Sequence, residues 1–77
     1  MISILVVGPG CANCQKVAQN AEEAANALHV NYELMKVTDV RQITALGIMR
    51  TPALIVNGSV KVAGKVPTIE EIQTWLR

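Results

Sequence analysis

The sequence predicts one α/β domain over residues 1–77, a four-stranded mixed sheet flanked by helices in the order β-α-β-α-β-β-α. Three observations predict it. Residues 2–7 (Ile-Ser-Ile-Leu-Val-Val) form a short, nearly all-apolar run rich in β-branched side chains, as suits a central strand buried on both faces. Residues 12–28 carry apolar or small side chains at helical spacing. Asn57-Gly58 sits between two apolar runs, and both residues tolerate the positive φ of a tight hairpin.

The elements follow in order. Gly8-Pro9-Gly10 stops the first strand. Cys14, Val17, Ala18, Ala21, Ala24, Ala25 and Leu28 then share one helix face, with Gln15, Lys16, Gln19, Glu22, Glu23 and Asn26 on the other. Residues 30–37 read as a second strand, where Val30, Tyr32 and Leu34 alternate with Asn31 and Glu33. Lys36 breaks that alternation, which suits an edge strand. Asp39 is a good N-cap, and Gln42 three residues on completes a capping box. Val40, Ile43 and Leu46 give the short helix an apolar stripe, and Gly47 stops it. Residues 53–56 and 60–63 form the hairpin strands. Thr68 and Glu71 make a second capping box, opening a last helix with Ile69, Ile72, Trp75 and Leu76 on one side. The first two strands should be parallel through a right-handed crossover, and the hairpin antiparallel.

Composition narrows the function. The 77 residues carry a net charge of +1 and contain no Phe, one Trp and one Tyr. The core must therefore be aliphatic, and a domain of this size buries only about 60% of its unfolded surface. No basic patch fits a phosphate backbone, so nucleic acid is not the expected partner. The opening apolar run is too short, and lacks the basic flank, for a signal peptide or membrane span. A cytoplasmic protein with no membrane association is expected. Structural disulfides are uncommon there, and a C-x-x-C points to redox chemistry or metal binding.

Cys11 and Cys14 fall where the first strand gives way to the first helix. The first turn of a helix has unpaired N–H groups and partial positive charge, which favour thiolate over thiol. The pKa of Cys11 should therefore fall. Cys11 follows a Gly-Pro-Gly loop and is expected to be the exposed nucleophile. Cys14, one turn on, faces inward and resolves the mixed disulfide. Ala12 and Asn13 carry no charge, so helix position does most of the tuning. A closed zinc site needs four ligands. The chain offers two cysteines and His29, which lies one helix length away. His29 reads better as a C-terminal helix residue favoured by the dipole. Thr51-Pro52 precedes the third strand, and by itself reads as a trans proline at a strand's first residue.

Gly10-Cys11-Ala12-Asn13-Cys14, the run Thr51-Pro52-Ala53-Leu54-Ile55-Val56-Asn57-Gly58, and Gly64 after the hairpin together resemble the small, glutaredoxin-sized thioredoxin-like redox proteins of prokaryotes. The resemblance covers essentially the whole chain. It implies the thioredoxin fold and thiol–disulfide oxidoreductase activity on protein disulfides. Cys11 would be the nucleophile and Cys14 the resolving thiol. Pro52 would be cis and lie against the cysteine pair. The backbone of Thr51 would pair with an extended substrate chain. Ile48, Met49, Ala63 and Gly64 would rim the site, although Ile48 leans toward the core. Gly10 and Gly64 join Thr51 and Pro52 as expected substrate-contacting residues. No cofactor or metal is expected. The partners would be disulfide-containing proteins and a reductase not identifiable from the sequence, acting on a monomer.

The chain also departs from its relatives. Ordinary thioredoxins carry Trp before the first cysteine and Gly-Pro between the two, where this chain has Gly10 and Ala12-Asn13. Their buried acid on the preceding strand is matched by Leu5. Glutaredoxins usually follow the last strand with Gly-Gly and an acid, where this chain has Gly64-Lys65. Glutathione use and reduction potential therefore stay open. The main rival is a small Cu(I) or zinc carrier using the same cysteines. Such domains usually carry Met two residues before the first cysteine, where Pro9 stands here, and follow a different element order. A second rival is a non-catalytic binding module on the same fold.

Overall fold

Strand β1 (Ile2–Val7) occupies the middle of the sheet, as its β-branched run requires. The coordinates come from a computed structural model that describes residues 1–10 and 12–77. The remaining elements are α1 (Ala12–Leu28), β2 (Tyr32–Val37), α2 (Val40–Ala45), β3 (Ala53–Val56), β4 (Ser59–Ala63) and α3 (Ile69–Leu76). The sheet order is β2-β1-β3-β4, with β2 parallel to β1 and the other pairs antiparallel. The expected mixed sheet is thus present, and β2 and β4 are its edges.

Helix α1 has the expected bounds, and its buried side chains are Cys14, Val17, Ala18, Ala21, Ala24 and Ala25. The small alanines let the helix lie close to the sheet, because no bulky side chain holds the backbones apart. They meet Ile4, Val6, Leu54, Val56 and Val62 from the sheet and Ile72 and Leu76 from α3 in one cluster. A smaller cluster of Val7, Ile43, Ile48, Ala53 and Ile55 lies on the opposite face, under α2. Asn20 Nδ2 ties α1 to the entry of α3, donating to the Pro67 carbonyl at 3.0 Å.

Turn chemistry behaves as the residues dictate. Asn57 and Gly58 both have positive φ, 50° and 84°, the combination of a type I′ hairpin. Asn57 also locks the hairpin to β1: its N–H donates to the Ser3 carbonyl, and its Oδ1 accepts from the Ser3 N–H. Across the hairpin, Leu54 pairs with Val62 and Ile55 with Val60, so Lys61 is the extra residue of a bulge. Thr68 and Glu71 close the reciprocal capping box, each bond 3.1 Å long.

Three local expectations are corrected. β2 starts at Tyr32 rather than at residue 30, because the Val30 N–H is held by the Ala25 carbonyl at the end of α1. Asp39 caps α2, but its Oδ1 accepts from the Arg41 N–H rather than from that of Gln42, and among the described residues Gln42 makes no return bond, so the cap forms without the box. The α2 stripe is also narrower than its spacing suggests: Ile43 is buried, whereas Val40 and Leu46 are exposed. Six residues give too few turns to bury three side chains.

Candidate active site

Cys14 stands on the first turn of α1 and is 5% exposed. Its sulfur rests on the backbone at Gly8, just past the end of β1. A Cβ built on Gly8 would overlap Cys14 Sγ and lie 3.2 Å from Cys14 Cβ and 3.6 Å from Thr51 Cβ. Gly8 is therefore glycine for space, and at that point β1, α1 and the segment before β3 converge. Gly8 also continues the β1–β2 ladder, donating to the Val37 carbonyl at 2.9 Å. The sequence marked Gly8 only as a strand breaker. Its role depends on a contact six residues away in the chain, so composition gave no signal beyond its place before a cysteine motif.

The Thr51–Pro52 peptide bond is cis. Pro52 is buried and Thr51 half-buried. The Pro52 carbonyl accepts from the Gly64 N–H at 2.8 Å. Gly64 has φ +87°, and a Cβ there would press on Arg50, with Cδ at 3.1 Å and Cβ at 3.2 Å. Thus Gly64 is joined to the site through Pro52, and Arg50 lies over its backbone. Gly10 has φ +93° and lines a cavity of about 100 Å³ shared with Cys14, Gly8, Val6, Lys36 and Thr38. Cys11 lies outside the described residues.

Lys36 reaches this cavity because it is register partner to Val6, on the sheet face that α1 covers. The residue that broke the β2 alternation thus brings an ammonium-bearing side chain to the sulfur's side of the sheet. On the other side of the site a groove of about 430 Å³ is lined by Pro9, Val40, Ile43, Ile48, Met49 and Thr51. Met49 is 95% exposed, and Ile48 is buried in the α2 cluster, so of the two expected rim residues Ile48 is core. His29 follows the far end of α1 with φ 55°. The helical rise puts it about 22 Å from Cys14. Among the described residues no three His, Cys, Asp or Glu side chains gather as a metal would require, and no helix is long and apolar enough to cross a membrane.

An inward thiol at a helix start, against a cis-proline segment and over a four-stranded mixed sheet, defines a protein of the thioredoxin fold class. The model of the thioredoxin domain family matches residues 2–77. The chain is similar to a thioredoxin of Methanothermobacter thermautotrophicus, 40% identical over 76 residues that cover 99% of both chains. It is also similar to a thioredoxin of Methanocaldococcus jannaschii, 34% identical over 77 residues, which are 100% of this chain and 88% of that one. The chain belongs to the thioredoxin family of thiol–disulfide oxidoreductases.

Proposed function

We propose that Cys11 and Cys14 are the redox pair, and that protein disulfides are the substrates. The observation that carries this reading is the seat of Cys14: its sulfur is held against Gly8, where the segment carrying Thr51 and the cis Pro52 also converges, three residues along the chain from Cys11. The Cys11 thiolate attacks one sulfur of a substrate disulfide. A mixed disulfide forms, and the other substrate sulfur leaves as a thiolate and takes up a proton. Cys14 then gives up its proton and attacks the Cys11 sulfur. The Cys11–Cys14 bond forms, and the second substrate sulfur leaves and is protonated. Two electrons and two protons have passed to the substrate, and a reductase must return them before the next cycle.

Thr51 offers backbone groups to an extended substrate chain, the economy of strand addition. Gly10 keeps the approach open on one side, since nothing lies where its side chain would stand, and Gly64 lets Arg50 lie close on the other. The substrate lies across the apolar groove beside Met49. All of these groups belong to one chain, so a monomer suffices, and a reducing cytoplasm suits the chemistry.

Trapping tests the assignment. Cys14→Ser should accumulate Cys11 in a mixed disulfide with a substrate, read by mass spectrometry after non-reducing separation. Cys11→Ser should abolish reduction of the same substrate. Full activity in both single variants would sink the assignment.

A further inference from the structure

We propose that this protein favours disulfide substrates that carry a carboxylate side chain close to the attacked cysteine, held by Arg50 on one side of the site or by Lys36 on the other. The inference rests on the reading of Cys11 and Cys14 just given and adds the substrate's charge.

Sheet order separates the two cations. Cys14 sits over the end of β1 at Gly8. On one side, β2 carries Lys36 to the cavity that Cys14 lines. On the other, Arg50 immediately precedes Thr51, and its aliphatic stem lies on Gly64 at the end of β4. Both side chains are exposed, and neither has an acidic partner among the described residues. The ion pairs there are Arg41–Asp39 at 3.6 Å and Lys65–Glu71 at 4.0 Å. Asp39, the acid that follows β2, also caps α2. Asp39 and Glu71 are thus engaged, while two cations beside the site are not.

Geometry sets the distance along the substrate. A chain paired with Thr51 advances about 3.3 Å per residue, and Arg50 adjoins Thr51, so side chains next to the paired position come within its reach. A guanidinium presents a planar fork that matches a carboxylate. Because both sites are exposed, each pair is worth only about a two- to fivefold preference.

The test uses reduced full-length protein and three peptide disulfides that differ only in one residue beside the cysteine, Glu, Gln or Lys. At low ionic strength kcat/KM should favour the Glu peptide over the Lys peptide by about two- to fivefold, as one exposed pair allows. The preference should fade at high salt, where the Debye length contracts to about 3 Å at 1 M. Arg50→Glu should invert the Glu-to-Lys ratio, and Lys36→Gln should shrink it. Equal kcat/KM for the three peptides, or a ratio unmoved by Arg50→Glu, would overturn the charge preference and leave the redox reading standing. Failure to reduce any of the three would remove the redox reading and this inference with it.

Discussion

The two faces of the sheet are unequally built. Under α1 and α3, twelve buried residues from five elements form one cluster; under α2, five do. On the open side of that second face, Met35, Leu46 and Val60 are exposed. The larger face holds the chain together. The smaller one forms one wall of the groove beside Thr51. Cys14 rides on α1, over the larger face, whereas the groove beside Thr51 is lined by the thinly packed one. A small domain has little margin to spend twice, and placing stability and recognition on opposite faces lets each vary without the other.

The difference can be broken by truncation. Leu54 is fully buried in the larger cluster, so Leu54→Ala leaves a void on all sides. It should cost about 4 kcal/mol, near the top of the range for such changes. Ile43 sits at the edge of the smaller cluster beside the groove, where neighbours can close in and water can enter. Ile43→Ala should cost about 2 kcal/mol. A domain of this length has about 4–12 kcal/mol in total, so the first variant stands near unfolding and the second does not. Urea melts of both give the comparison directly. Equal costs would mean that the two faces are energetically alike.

Gly8→Ala sharpens the point at the junction of the faces. The new methyl must displace the Cys14 sulfur or the strand end, an overpacking that should cost about 1–3 kcal/mol. On the proposed mechanism it should also slow release of substrate from the mixed disulfide, since the Cys14 sulfur is moved. Cys14→Ala removes the sulfur that the methyl would strike. In that background Gly8→Ala should cost less, and a double-mutant cycle reads the difference as coupling. No coupling would show that the methyl is accommodated elsewhere.

Gly8 also marks the limit of what the sequence could tell. The α1 bounds, the hairpin, the order of elements along the chain and the Thr68 box were legible because each follows from residues close in the chain or from simple periodicity. The cis bond before Pro52 was legible through resemblance: Thr51-Pro52 taken alone suggested a trans bond. The α2 stripe misled, because spacing says which residues share a face but not whether anything covers it. The contacts of Gly8 with Cys14 and of Arg50 with Gly64 join distant segments and leave no periodic trace. Lys36 was visible as a break in pattern, yet its meaning depended on the register that sets it opposite Val6.

The helix caps give the smallest effects, and they divide along the same line. Thr68→Ala removes the hydroxyl that accepts from the Glu71 N–H, leaves the bond from the residue 68 backbone N–H to Glu71 Oε1, and should cost about 1 kcal/mol, by chemical denaturation. The carboxylate of Glu71 is held below its ordinary titration range, chiefly by the Thr68 backbone N–H and further by Lys65. A carboxyl whose folded pKa is depressed adds stability that is fully present above its unfolded pKa and is lost as pH falls through the folded one. Melting temperature should therefore hold steady near neutrality and fall on the acid side of the ordinary glutamate range as the box loosens. Glu71→Gln keeps an acceptor for the Thr68 N–H but cannot titrate. Its acid slope should be shallower than that of the unmodified protein, with the two curves converging at low pH. Parallel curves would show that the acid sensitivity arises from other carboxylates and that the Thr68–Glu71 bond does not respond to pH.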